Sequence, residues 1–152
     1  MRTLAIDLGT KRIGLAMSDQ GGQFASPMPM IEVTDPRQAI DPIAGIVSAE
    51  GVERIVLGLP LNMDDTLGAQ ARSVIVWSGE LAKRTPAPIV FVDERLSSFE
   101  AEQRLITAKR AGAKITRKDR KQAIDSLAAA GFLQSFLDGG LVAIDPESFT
   151  SR

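Results

Sequence analysis

The sequence predicts an α/β domain: a mixed five-stranded sheet, three antiparallel N-terminal strands plus two parallel ones, with helices on both faces. Three observations predict it. Two short apolar runs, "TLAIDL" and "RIGLAMSD", flank a "GTK" turn at the N-terminus, which is the pattern of a hairpin. Two later runs, "ERIVLGLP" and "PAPIVFVDE", are almost continuously apolar, as buried strands are. Helically spaced segments separate and follow these runs, and strands joined through helical crossovers pair in parallel.

Taken in order, the hairpin is followed by "QFASPMPMIEV", whose two prolines confine a third strand to an edge. "DPRQAIDPIAGIVSAEG" reads as a helix that stops at Gly51, with its prolines nearest the start. After the first buried run and its "NMDD" loop, "TLGAQARSVIVWSGELAKRT" repeats apolar residues at helical spacing. "SSFEAEQRLITAKRAG" begins with serines suited to capping and ends in basic residues before Gly112. "TRKDRKQAIDSLAAAGFLQSFLDGG" has the strongest helical pattern of the chain, closed by Gly139 and Gly140. The expected organisation is one domain over residues 1–138, with a flexible tail over 139–152.

Composition narrows the chemistry. With 152 residues, 44% hydrophobic and 24% charged, the chain matches an ordinary globular domain. It shows no membrane span and no signal peptide, and the absence of cysteine suits a cytoplasmic setting. Histidine is also absent, which removes imidazole as a general base or zinc ligand. Carboxylates, lysines, hydroxyls or a hard metal ion must then carry any catalysis. The net charge is only −1, yet "KRAGAKITRKDRK" at 109–121 holds seven basic residues against one acidic. Such an asymmetry steers a polyanion to one face of the molecule.

Three carboxylates break their local patterns. Asp7 ends the first apolar run, Glu94 ends the last one beside Asp93, and Asp125 lies in "AIDSLAAAG" with Ala128 and Ala129 one turn beyond. Each alone has an ordinary explanation as a solvent-facing acid. Together they suggest a site: the first strand is expected to be central, its end close to that of the fifth, and a final helix crossing there brings Asp125 to Asp7 and Glu94. Gathered carboxylates repel unless a cation neutralises them, and oxygen-only donors select Mg²⁺ or Mn²⁺.

Four blocks, "AIDLGTKRIGLAMSD", "LGLPLNMDDT", "VDERLSS" and "IDSLAA", resemble the YqgF/RuvX family of Holliday-junction-resolvase-like nucleases. The resemblance covers roughly residues 2 to 138. It implies an RNase H-like fold and a bacterial cytoplasmic, metal-dependent nuclease, with Asp7, Glu94 and Asp125 as acidic ligands of Mg²⁺ or Mn²⁺. It also implies maturation of the 5′ end of the small-subunit ribosomal RNA precursor; the alternative is resolution of branched DNA, for which a homodimer would present two sites to a symmetric junction. One departure is Asp65, where the family's loop commonly has glycine. Lys11 and Arg12 on the hairpin are expected to contact phosphates, as is Arg95 unless it serves its acidic neighbours. Arg117, Lys118, Arg120 and Lys121 are expected to track a nucleic-acid backbone. Two rivals are a non-catalytic RNA-binding module and a nucleotide-binding protein, since "DLGTKRIG" is also similar to the first phosphate loop of the actin and sugar-kinase superfamily.

Overall fold

The computed structural model describes residues 1–64, 66–96 and 126–146. The helix expected over 97–112, the basic segment 109–121, Asp65, Asp125 and residues 147–152 lie outside the described residues.

Five strands form one sheet. They are β1 (Thr3–Leu8), β2 (Arg12–Ser18), β3 (Ala25–Glu32), β4 (Arg54–Leu59) and β5 (Ile89–Asp93). Their spatial order is β3-β2-β1-β4-β5, so β1 is central as expected. The first three pair antiparallel, while β1–β4 and β4–β5 are parallel. Pro27 and Pro29 sit in β3, an edge strand, where a missing N–H costs no ladder bond on the open side. The turn between β1 and β2 depends on Gly9, whose N–H donates to Arg12 O at 3.1 Å and where a Cβ would collide with that carbonyl.

Three helices cover the sheet among the described residues: α1 (Ile40–Ala49), α2 (Ala69–Ala82) and α3 (Leu127–Leu137). The proline-rich entry to α1 is a 3-10 turn, Pro36–Ala39, closed by a capping box between Asp35 and Gln38. The chain after α1 turns at Gly51, whose φ of 63° favours glycine. α2 begins at Ala69, three residues later than the apolar pattern suggests, because Thr66 is engaged in the preceding loop. Of the long final helix expected from the sequence, the part from Leu127 to Leu137 is described and helical.

The alternation of side chains along each strand divides the core in two. Leu4, Ile6, Ile13, Leu15, Ile55, Leu57 and Leu59 pack with Ile43 and Val47 of α1 and Val74, Trp77 and Leu81 of α2. On the opposite face, Ala5, Ala16, Val56 and Val92 pack with Ala129, Ala130, Phe132 and Leu133 of α3. Helices therefore lie on both faces. Beyond α3, Gly139 turns with φ 83°, and the N–H groups of Gly140 and Leu141 both donate to Ser135 O. Leu141 is buried, and Ile144 N donates to Phe91 O at 2.8 Å, so residues 139–146 run back against the outer edge of β5. No helix among the described residues is long and apolar enough to cross a membrane.

Candidate active site

Two of the three acids singled out in the sequence meet at one end of the sheet. Asp7 shares the α3 side of β1 with Ala5, and Glu94 follows Val92 and Asp93 off the end of β5. β4 runs between them, and what lets them touch is Gly58. Leu57 pairs with Ile6 on one side and Phe91 on the other, so Gly58 lies level with Asp7 and opposite Val92. A Cβ built on Gly58 would stand 2.8 Å from Glu94 Oε2 and 3.0 Å from Phe132 Cε1. The missing side chain is thus filled by a carboxylate and a ring edge. On the other side of Asp7, its partner on β2 is Gly14. The acid at the centre of the sheet stands between two glycines, and it opens onto a cleft of about 250 Å³ lined by Asp7, Glu94, Arg95, Ala128 and Phe132.

The electrostatics of the pair are unfavourable as the side chains stand. Asp7 and Glu94 are hydrogen-bonded carboxyl to carboxyl. Burial raises the pKa of Asp7, an effect opposed by the bond from Glu94. Every influence on Glu94 acts in one direction: burial, then the charge and hydrogen bond of Asp7, then the charge of Asp93, pushing it up to about 7. Two half-buried carboxyls in hydrogen-bond contact are a donor set suited to a cation, which would satisfy the oxygens of both. Among the described residues no third aspartate, glutamate, histidine or cysteine joins them in a group that could hold a metal ion.

Arg95, next in the chain, has a different set of partners. Its Nε and Nη2 grip both oxygens of Asp93 at 2.9 and 2.7 Å, and its Nη1 donates to Asn62 O at 2.6 Å. This bidentate pair keeps the buried Asp93 carboxyl below the usual range. Arg95 thereby ties the end of β5 to the loop that follows β4, which is the structural alternative noted for it in the sequence. Lys11 and Arg12 lie on the hairpin at the same end of the sheet as Asp7, Arg12 two residues from Gly14 and on the same side of β2. Both are exposed.

The end of α3 nearest the site is fixed by a side chain that the sequence reading passed over. Ser126, fully buried, accepts from Leu15 N at 3.3 Å and donates to Met28 O at 2.6 Å. Leu15 and Met28 are register partners just past the irregularity that begins at Ile13. The hydroxyl is inserted into the β2–β3 ladder and anchors α3 beside Gly14. Gly14 and Gly58 were also missed, although a glycine inside an apolar strand pattern is a signal of close approach. A larger groove of about 510 Å³, lined by Leu8, Pro36, Val76 and Trp77 among others, lies on the α2 side of the molecule. It is mainly apolar, and the converging carboxylates make the smaller cleft the candidate site.

Comparison with known proteins gives the family and the fold. Residues 1–139 match the family described as RuvX: Holliday junction resolvase. The chain belongs to the RuvX family. A relative from Geobacillus thermodenitrificans, named as a candidate pre-16S rRNA nuclease, is 40% identical over 140 residues, covering 91% of this chain and 98% of the relative. One of the same name from Listeria innocua is 39% identical over the same length and coverage. Among solved structures, Thermus thermophilus RuvC aligns with a TM-score of 0.60 at 12% identity, covering 95% of this chain and 100% of that one. The Fowlpox virus resolvase in complex with Holliday junction DNA aligns at 0.53 and 11% identity, covering 91% and 98%. The RuvX chain thus has the RNase H-like fold of these resolvases.

Proposed function

We propose that this RuvX chain is a divalent-metal-dependent nuclease that hydrolyses phosphodiester bonds in the 5′ leader of the 16S ribosomal RNA precursor. The observation that carries the reading is the meeting of Asp7 and Glu94 over Gly58, a pair of half-buried acids whose pKa values are raised by burial, that of Glu94 also by the charge and hydrogen bond of Asp7. Asp7 and Glu94 would hold Mg²⁺ or Mn²⁺, with Asp125, the residue before the anchored Ser126, as the third ligand. Bound there, such ions supply Lewis acidity for the departing oxygen and a lowered pKa for the attacking water. The protein's own groups do the rest. Gly58 lets the Glu94 carboxylate reach across the sheet toward Asp7, while Phe132 and Ala128 form the helical wall of the cleft. Lys11 and Arg12 would hold the flanking phosphates, and Arg117, Lys118, Arg120 and Lys121 would extend that contact along the strand, giving affinity without sequence reading. The precursor RNA is supported by the names of relatives about 40% identical along nearly their whole length.

The test is cleavage of a precursor RNA carrying its leader by wild type and Asp7→Asn, with Mg²⁺, with Mn²⁺ and with a chelator. Metal-dependent cutting reduced more than about a hundredfold in the variant is expected, a larger loss than outer-sphere partners of a metal produce. Equal cutting by both proteins, or cutting that survives chelation, would overturn the reading. A second reading, resolution of four-way DNA junctions, is favoured by the family's description and by the RuvC fold. It requires symmetric cutting of a junction by a homodimer. A junction placed beside the RNA in the same assay decides between them.

A further inference from the structure

The loop after β4 presents an apolar side chain to solvent at the end of the sheet where the acids meet. Met63 is 95% exposed. A lone exposed apolar residue is ordinary on a protein surface. This one stands on a loop that is braced from several sides. Asn62 N donates to Thr66 O at 3.0 Å, Asn62 Nδ2 donates to Thr66 Oγ1 at 3.0 Å, and Thr66 donates from both its hydroxyl and its N–H to Asp64 Oδ1. Arg95 Nη1 donates to Asn62 O at 2.6 Å. Gly68 packs under the loop, where a Cβ would stand 2.8 Å from Asn62 Oδ1, and Leu61 and Leu67 bury the two stems. The backbone ordering that a binding contact requires is therefore already in place.

Position gives this rigidity a purpose. Met63 is one residue from the carbonyl that Arg95 grips, and Arg95 lines the cleft with Asp7 and Glu94. Among the described residues, no exposed aromatic side chain stands at this end of the sheet. Trp77 and Phe132 are buried, and the exposed Phe24 lies between β2 and β3 at the opposite end of the sheet.

We propose that Met63 is a substrate wedge: its thioether packs against a nucleotide base beside the bond that is cut, so the site takes a strand whose bases are free to unstack. This deepens the nuclease reading and rests on it. A methionine side chain is polarizable, adapts to any base face, and is among the apolar residues that proteins insert between stacked bases. An intact duplex, whose stacking must first be broken, is the disfavoured ligand, and Arg95 acts as the positioning residue that holds the wedge at the rim.

The experiment uses the Asp7→Asn chain, which is expected to bind without cutting, and leader RNAs carrying 2-aminopurine at successive single positions. Binding is expected to raise the fluorescence of one or two positions, the mark of an unstacked base. In Asp7→Asn with Met63→Ala that rise should largely vanish and affinity should fall about three- to tenfold, within the range of a lost base contact. Met63→Leu should keep most of both. Because the side chain is exposed, thermal unfolding of the Met63 variants should match the parent, which separates the effect from misfolding. The same fluorescence rise and affinity with alanine at 63 would overturn the wedge while leaving the nuclease reading intact. Failure of the Asp7→Asn chain to bind any RNA would overturn both.

Discussion

On the α1–α2 side, the strands present Leu4, Ile6, Ile13, Leu15, Ile55, Leu57 and Leu59; on the α3 side, the same strands present Ala5, Gly14, Ala16, Val56, Gly58 and Val92. The first face is filled with branched side chains that keep α1 and α2 at a distance. The second lets α3 come close and ends in Asp7 and Glu94 instead of a further apolar layer. Among the described residues, area-scaled burial puts most of the hydrophobic stabilisation on the first face. The comparison shows how one sheet separates two demands: large residues secure the fold, and small ones make room where carboxylates must converge.

Substitutions matched across the two faces would break this comparison if it is wrong. The largest stability loss is expected for Leu57→Ala, which leaves a hole under α1 and α2 and should cost about 2–5 kcal/mol in denaturant unfolding, with cleavage by the folded fraction little changed. Gly58→Ala, the next residue and the opposite face, should cost less, about 1–3 kcal/mol for an intruding methyl. It should nonetheless abolish most of the cleavage, because the new Cβ meets Glu94 Oε2 and the Phe132 ring. If Leu57→Ala lost activity and Gly58→Ala kept it, the division of labour would be refuted. The smallest effect has the opposite sign. Asp7→Asn removes one of two like charges from a half-buried site and should stabilise the protein in chelator by on the order of 1 kcal/mol. Thermal unfolding of both proteins at mildly alkaline pH checks it; a destabilised variant would mean that the pair is not strained.

The sequence made the frame legible because each element carried its own local signal. Period-two alternation, the prolines of the edge strand and the terminal glycines all act within a few residues. Asp7 was legible for the same reason, as a charge in an apolar run. Its contact with Glu94 depends on β4 lying between them and on Gly58 falling level with Asp7 and opposite Val92, two residues before Glu94, a matter of register across three strands that no local pattern states. The anchoring of Ser126 between Leu15 and Met28 joins residues more than ninety positions apart and was likewise invisible. The helix that starts at Ala69 rather than Thr66 shows the reverse case: a local bond between Thr66 and its loop overrides helical spacing. Arg95 had two readings in the sequence, and the geometry brings forward the structural one, through Asp93 and Asn62.

The account's central claim is that Asp7 and Glu94 together hold a divalent cation. The most direct measurement is thermal unfolding of wild type and Glu94→Gln during titration with Mn²⁺, read without any nucleic acid. A ligand bound only by the folded state stabilises it by about 2.7 kcal/mol at a hundredfold excess over its dissociation constant. Wild type is predicted to shift upward with Mn²⁺ and saturate, while Glu94→Gln shifts by less than half as much at the same concentrations. Equal shifts in the two proteins, or none in wild type, would contradict it.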